Sequence, residues 1–81
     1  MALQLTIRLF GTLSLRVPDY NPKTGIVIVV PDGVTPEDIL KKLQIPLSHV
    51  GFISDGHRTL KRDSLLLDGM GINFFSLISG G

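Results

Sequence analysis

The chain has 81 residues, 43% of them hydrophobic, with eight Lys/Arg against seven Asp/Glu and no cysteine. That length predicts one small domain over 1–81, and the apolar content is enough for an efficient core. Without cysteine there are no disulfides, thiolate metal sites or cysteine nucleophiles, which fits a reducing cytosol. The basic residues are scattered rather than striped, so nucleic acid is not an expected partner. The longest apolar run, Ile26–Val30, is far too short to span a bilayer. Met1-Ala2-Leu3-Gln4 does not read as a signal peptide. The expectation is a cytoplasmic protein with no membrane partner.

Leu3, Leu5, Ile7 and Leu9 alternate with Gln4, Thr6, Arg8 and Phe10, the period of a half-buried strand with its leucine side inward. The alternation extends past Gly11 toward Leu13, Leu15 and Val17. Residues 18–25, rich in Pro, Gly, Asn and Asp, read as a loop. Ile26–Val30 is β-branched throughout and reads as a strand, closed by Pro31-Asp32-Gly33. Thr35-Pro36-Glu37-Asp38 carries a cap, a first-turn proline and two first-turn acids, which predicts a helix over 36–44. Asp38 stands where a capping box prefers Glu, a weak match. Ile39, Leu40 and Leu43 form its apolar face, and Pro46 stops it.

Val50–Ser54 reads as a strand, Asp55-Gly56 as a turn, and Arg58–Leu60 as a short strand pairing back. Ser64–Leu67 reads as a short helical turn, Asp68-Gly69 as another turn, and Ile72–Ile78 as the final strand. The predicted core is Leu5, Ile7, Leu9, either Val27 or Ile28, Ile39, Leu40, Leu43, Ile53, Ile72 and Phe74. One helix must then cover one face of a mixed sheet of four to five strands. That is an α+β fold, the β-grasp (ubiquitin-like) arrangement.

Few residues invite chemistry. His49 and His57 lie beside loops, and neither Asp55 nor Asp63 is spaced to complete the three or four ligands a metal needs, so no metal is expected. Ser14, Ser48, Ser54 and Ser64 lack a nucleophile-elbow context, so the chain is not expected to be an enzyme. The Asp-Gly pairs are turn formers. There remains Gly80-Gly81, a side-chain-free tail ending in a carboxylate. Glycine lets another backbone approach closely, which suits a tail that threads a narrow channel to a bound nucleotide. If Ile72 and Phe74 point inward, Asn73, Phe75 and Leu77 point outward. Phe75 and Leu77 then form a docking patch beside the tail.

Three stretches resemble the ThiS/MoaD family of ubiquitin-like sulfur carriers, on the side of the molybdopterin synthase small subunit. Residues 7–13 (IRLFGTL) resemble its first strand and turn, residues 31–40 (PDGVTPEDIL) its turn and helix start, and residues 67–81 (LDGMGINFFSLISGG) its last strand and diglycine tail. Met70, Asp55-Gly56 and Ser76-Leu77 depart from the acid, the Asn-Gly turn and the two prolines common there. The resemblance implies that a partner enzyme of the ubiquitin-activating type uses ATP to adenylate Gly81. The carrier itself would bind no cofactor. The carboxylate would then become a thiocarboxylate that donates sulfur to a synthase, such as the molybdopterin synthase large subunit or thiazole synthase. Gly81 would be the reactive end and Gly80 the source of clearance. Two alternatives share the fold: a protein modifier conjugated through the same glycine, and a noncovalent interaction module.

Overall fold

The structure, a computed structural model, describes residues 2–77. Its elements are β1 (Ala2–Phe10), β2 (Ile26–Pro31), α1 (Pro36–Lys42), β3 (Val50–Ser54), β4 (Thr59–Leu60) and β5 (Gly71–Ser76). The five strands form one mixed sheet in the order β2-β1-β5-β3-β4. β1 pairs antiparallel with β2 and parallel with β5, and β3 pairs antiparallel with β5 and β4. With one principal helix, this is a β-grasp-like α+β fold. Among the described residues no helix is long and apolar enough to cross a membrane.

The period-two pattern of β1 sets the core. Leu3, Leu5, Ile7 and Leu9 are buried on one face, against Ile72 and Phe74 of β5 and Ile39 and Leu40 of α1. In β2, Ile28 is the partner of Leu5 and is half-buried, whereas Val27 lies on the other face, 59% exposed. The fully buried residue of that strand is Val30, opposite Leu3. Leu43 is only half-buried, because it caps the helix rather than continuing its apolar face.

The helix start is better built than its sequence suggests. The Asp38 N–H donates to Thr35 Oγ1 at 3.2 Å and the Thr35 N–H donates to Asp38 Oδ2 at 3.1 Å, so the box closes with the shorter acid. The Thr35 N–H, then the Thr35 side chain, with Lys41 nearby, hold the Asp38 carboxyl below its ordinary value of 3.8. The helix ends at Lys42, before its predicted limit of 44. Gln44 turns left-handed at φ +60, its N–H donates to Lys41 O at 3.1 Å, and the Ile45 N–H donates to Leu40 O at 2.9 Å. That paired closure is a Schellman motif, achieved without glycine, and it delivers Ile45 into the core.

Two other expectations are corrected. β1 does not extend through Val17: Gly11 adopts φ +68 and opens a 3-10 segment over Gly11–Arg16. With three residues per turn, positions two apart no longer share a face, so Leu13 is buried while Leu15 is 83% exposed. Ser64–Leu67 forms no helical turn. The Ser64 N–H donates to Lys61 O at 3.1 Å and the Lys61 N–H to Ser64 Oγ at 2.7 Å, closing a tight turn. The chain then runs irregularly, with Leu66 buried between exposed Leu65 and Leu67. β5 ends at Ser76, and Ile78, predicted as its last residue, lies outside the described residues.

Two measurements check this account. Leu40→Ala, at a position 1% exposed, should lower unfolding stability in urea by about 2–5 kcal/mol; an unchanged midpoint would contradict the helix packing. For Asp38 the folded pKa is depressed, so its stabilisation is fully present above about pH 3.8 and is lost as pH falls through the lower folded value. The stability difference between the parent and Asp38→Asn should therefore be flat near neutrality and shrink in acid below pH 3.8. A difference that grows in acid would contradict the capping role.

Candidate functional site at the end of the central strand

β5 is the middle strand of the sheet. Ile72 and Phe74 are fully buried on its core face, so Phe75 falls on the open face by alternation. The registers then bring three phenylalanines into one row, because Phe75 is the partner of Phe10 on β1 and of Phe52 on β3. The rings stack: Phe10 and Phe75 have centroids 4.7 Å apart, and Phe52 and Phe75 4.3 Å, with interplanar angles of 10° and 8°. Each such contact contributes about 0.5–1.5 kcal/mol beyond the area it buries.

The stack alters the expectation for Phe75. It is half-buried, sandwiched by two rings, while its neighbours carry the exposed apolar surface: Phe10 is 41% and Phe52 47% exposed. Leu77 is 59% exposed, as the outward reading of the strand predicts. A shallow cleft of about 220 Å³ lies here, lined by Phe10, Gly11, Phe52, Phe75 and Ser76. Sequence reasoning placed Phe10 outward but did not join it or Phe52 to the patch. One signal was available: Phe10 is the sole large apolar residue on the outward side of β1, which otherwise carries Ala2, Gln4, Thr6 and Arg8.

Two glycines set where the chain leaves the sheet. The pairing of β3 with β5 shifts between Val50 and Phe52, which makes Gly51 the extra residue of a bulge. A Cβ on Gly51 would lie 3.0 Å from Ser76 O and 3.1 Å from Leu77 Cα. The Leu77 N–H donates to His49 O at 2.9 Å, just before the bulge. On the other side, a Cβ on Gly11 would collide with the Ser76 side chain. Ser76 is thus closely approached from both sides, at its side chain by Gly11 and at its carbonyl by Gly51, and Leu77 from the Gly51 side. Gly80 and Gly81, the predicted reactive tail, lie outside the described residues.

Among the described residues no ionisable side chain lines this cleft. Asp55 is held below its ordinary 3.8, first by the Arg58 N–H and then by the His57 N–H, and it organises the turn between β3 and β4. Among the described residues no three His, Cys, Asp or Glu side chains are grouped to hold a metal ion. The described residues at the end of β5 offer apolar and aromatic contact.

Gly51→Ala should displace the Ser76–Leu77 backbone by a few tenths of an ångström, because the obstructing atoms are main-chain and cannot rotate away. Amide chemical shifts of Ser76, Leu77 and Phe75 should move, with the β1–β2 pairing undisturbed. Shifts unchanged at Ser76 and Leu77 would contradict the close approach.

No protein-family model matches the chain, and no curated protein matches it. A solved structure does: the solution structure of the Haloferax volcanii HVO 2177 protein aligns with a TM-score of 0.75 at 23% identity, covering 99% of this chain and 88% of that one. At that identity the likeness is one of fold, and it agrees with the β-grasp-like architecture.

Proposed function

We propose that this chain is a ubiquitin-like sulfur carrier whose working group is the carboxylate of Gly81. A partner enzyme adenylates that carboxylate with ATP, releasing pyrophosphate. A sulfurtransferase then delivers sulfur at the sulfide level, which attacks the activated carbonyl carbon and expels AMP, and the resulting thiocarboxylate donates sulfur to an acceptor synthase. The molybdopterin synthase large subunit and thiazole synthase are the acceptors the sequence resemblance suggests. The carrier acts as a protein co-substrate of these enzymes, within the cytoplasm, and binds no cofactor of its own.

One observation supports this reading above the others: the strand that precedes the diglycine is the central strand of a β-grasp-like sheet, and it ends beside an exposed aromatic row. A partner that grips Phe10, Phe52 and Leu77 would sit next to the start of the tail. The four residues beyond Leu77 span at most about 13–14 Å when extended. On this reading the activating site lies within that distance of its docking surface. Glycine at 80 and 81 removes side chains where a nucleotide-binding channel must close around the chain. Phe75 contributes by holding Phe10 and Phe52 in place, and Leu77 by direct contact.

Deleting Gly81 should abolish ATP–pyrophosphate exchange with the cognate activating enzyme and formation of the thiocarboxylate by mass spectrometry. The fold should survive, since an end residue contributes little packing. The shortened chain still offers a carboxylate, but about 3.3–3.6 Å short, and a misplacement of about 1 Å already costs on the order of a hundredfold in rate. Normal exchange by the deleted chain would refute the carrier reading. Stable conjugates to target lysines, with no thiocarboxylate, would reassign the same tail to protein modification. Phe75→Ala should weaken binding of the activating enzyme more than it lowers the melting temperature; equal binding by mutant and parent would remove the docking role.

A further inference from the structure

β2 is an edge strand, and among the described residues β1 is its sole ladder partner. The register fixes which of its main-chain groups are free. The Thr6 N–H donates to Met70 O at 3.1 Å, toward β5. Along β1 the even positions therefore turn their main-chain groups to β5 and the odd positions turn theirs to β2. The Leu9 N–H, which donates to Tyr20 Oη just beyond the end of β2, follows the same alternation. Leu5 and Ile7 thus bond their partners Ile28 and Ile26, and the N–H and C=O groups of Val27 and Val29 face away from β1. Among the described residues no group outside the β1 ladder bonds to them. Pro31, the next position facing outward, has no N–H to leave unpaired. The edge also lacks the usual protections, since Ile26–Val30 carries no charge, no proline and no bulge. The Val27 and Val29 side chains are themselves exposed.

We propose that this edge pairs with a second copy of the chain, β2 against β2 and antiparallel about a two-fold axis at Ile28, so that two five-stranded sheets become one. Three features select a second copy. The free groups are symmetric about Ile28: Val27 of one chain falls opposite Val29 of the other, the two exchange N–H···O bonds in both directions, and the axis repeats the exchange. The side chains match themselves as well. Valine meets valine on the open face, half-buried Ile28 meets its own copy on the core face, and no charge on the strand is set against itself. The flanks are complementary: Lys23 is the nearest charged residue before β2 and Asp32 the nearest after it, and both are exposed. Antiparallel pairing brings the basic end of one strand to the acidic end of the other, at both ends of the ladder, which favours this register. A strand of six residues is small beside the roughly 20–30 residues a side of a standard interface. The dimer is therefore weak and fills as the protein concentration rises. The edge contains no residue of the Phe10–Phe75–Phe52 cleft or of the diglycine tail, so the dimer is independent of the sulfur-carrier reading.

The test is sedimentation equilibrium of the full chain from micromolar to millimolar concentration, with amide hydrogen exchange read by NMR at both ends of the range. The mass should rise from monomer toward dimer. The Val27 and Val29 amides should become protected as it does, while the Ile28 amide, already bonded to Leu5, changes little. Val27→Lys combined with Val29→Lys sets like charges opposite each other at exposed positions. It should raise the dissociation constant on the order of tenfold or more and leave the fold intact. Val27→Lys combined with Val29→Glu sets opposite charges together in this antiparallel register and like charges together in a parallel one. It should restore association to near that of the parent. The proposal is overturned by a monomeric mass at millimolar chain, or by a dimer that shifts Phe10, Phe52 and Phe75 and leaves the Val27 and Val29 amides unprotected. It is equally overturned by a like-charge variant that associates as the parent does, or by an opposite-charge variant that associates no better than the like-charge one.

Discussion

The parallel pairing of β1 with β5 is the constraint on which the rest of the molecule depends. It joins the two ends of the chain at the centre of the sheet, aligning Ile7 with Ile72 and Leu9 with Phe74. All four of these residues are buried, and three of them, Ile7, Ile72 and Phe74, have no solvent exposure. Parallel neighbours cannot be joined by a tight turn, so between them the chain passes from β2 on one side of the pair to β3 on the other, and α1 lies on that crossing, packed over the buried face. The helix is short, yet both of its ends are closed by hydrogen bonds, a capping box at Thr35–Asp38 and a left-handed closure at Gln44. A helix of seven residues has little intrinsic stability in water. Its caps and its buried Ile39 and Leu40 hold it in place.

That pairing also decides what the open face looks like. Because β5 lies between β1 and β3, the outward residue after Phe74 meets one neighbour on each side, and in this sequence both are phenylalanine. An aromatic row on a solvent-facing sheet keeps apolar area in water that a core would hide, and such a contiguous patch commonly marks a binding surface. The rest of that face is mixed. Gln4, Thr6, Arg8 and Asn73 occupy its middle by register, and exposed Val27 and Val29 lie toward the β2 edge. The Arg8 guanidinium reaches Pro22 O and Lys23 O at 3.4 Å, and Tyr20 Oη accepts from the Leu9 N–H at 2.8 Å, so the 18–25 loop is tied to β1 where β2 no longer covers it.

The proposed carrier chemistry and the proposed dimer draw on different parts of one sheet. The first uses the end of the central strand, where backbone approach at Gly11 and Gly51 fixes the departure of the chain. The second uses the β2 edge, where the main-chain groups of Val27 and Val29 face away from β1. β1 stands between them, paired with β2 on one side and β5 on the other.

How much of this was written in the sequence differs by element. β1, β2, β3 and β5 announce themselves by alternation or by a β-branched run, and α1 by its cap and proline, since these signals act over a few neighbouring residues. The inward sides of β1 and β5 follow from period two alone. The same rule misled beyond Gly11, where a left-handed glycine changed the period from two to three and sent Leu13 and Leu15 to opposite sides. It gave no warning of Leu66, buried from an irregular segment by contacts distant in sequence. Of the candidate site, the diglycine and the outward positions of Phe75 and Leu77 were legible in the sequence. The Phe10–Phe75–Phe52 stack, the bulge at Gly51 and the outward main-chain groups of Val27 and Val29 were not. Each depends on which strand lies beside which and in what register, and that is settled by long-range packing of the buried faces rather than by any local pattern of residues.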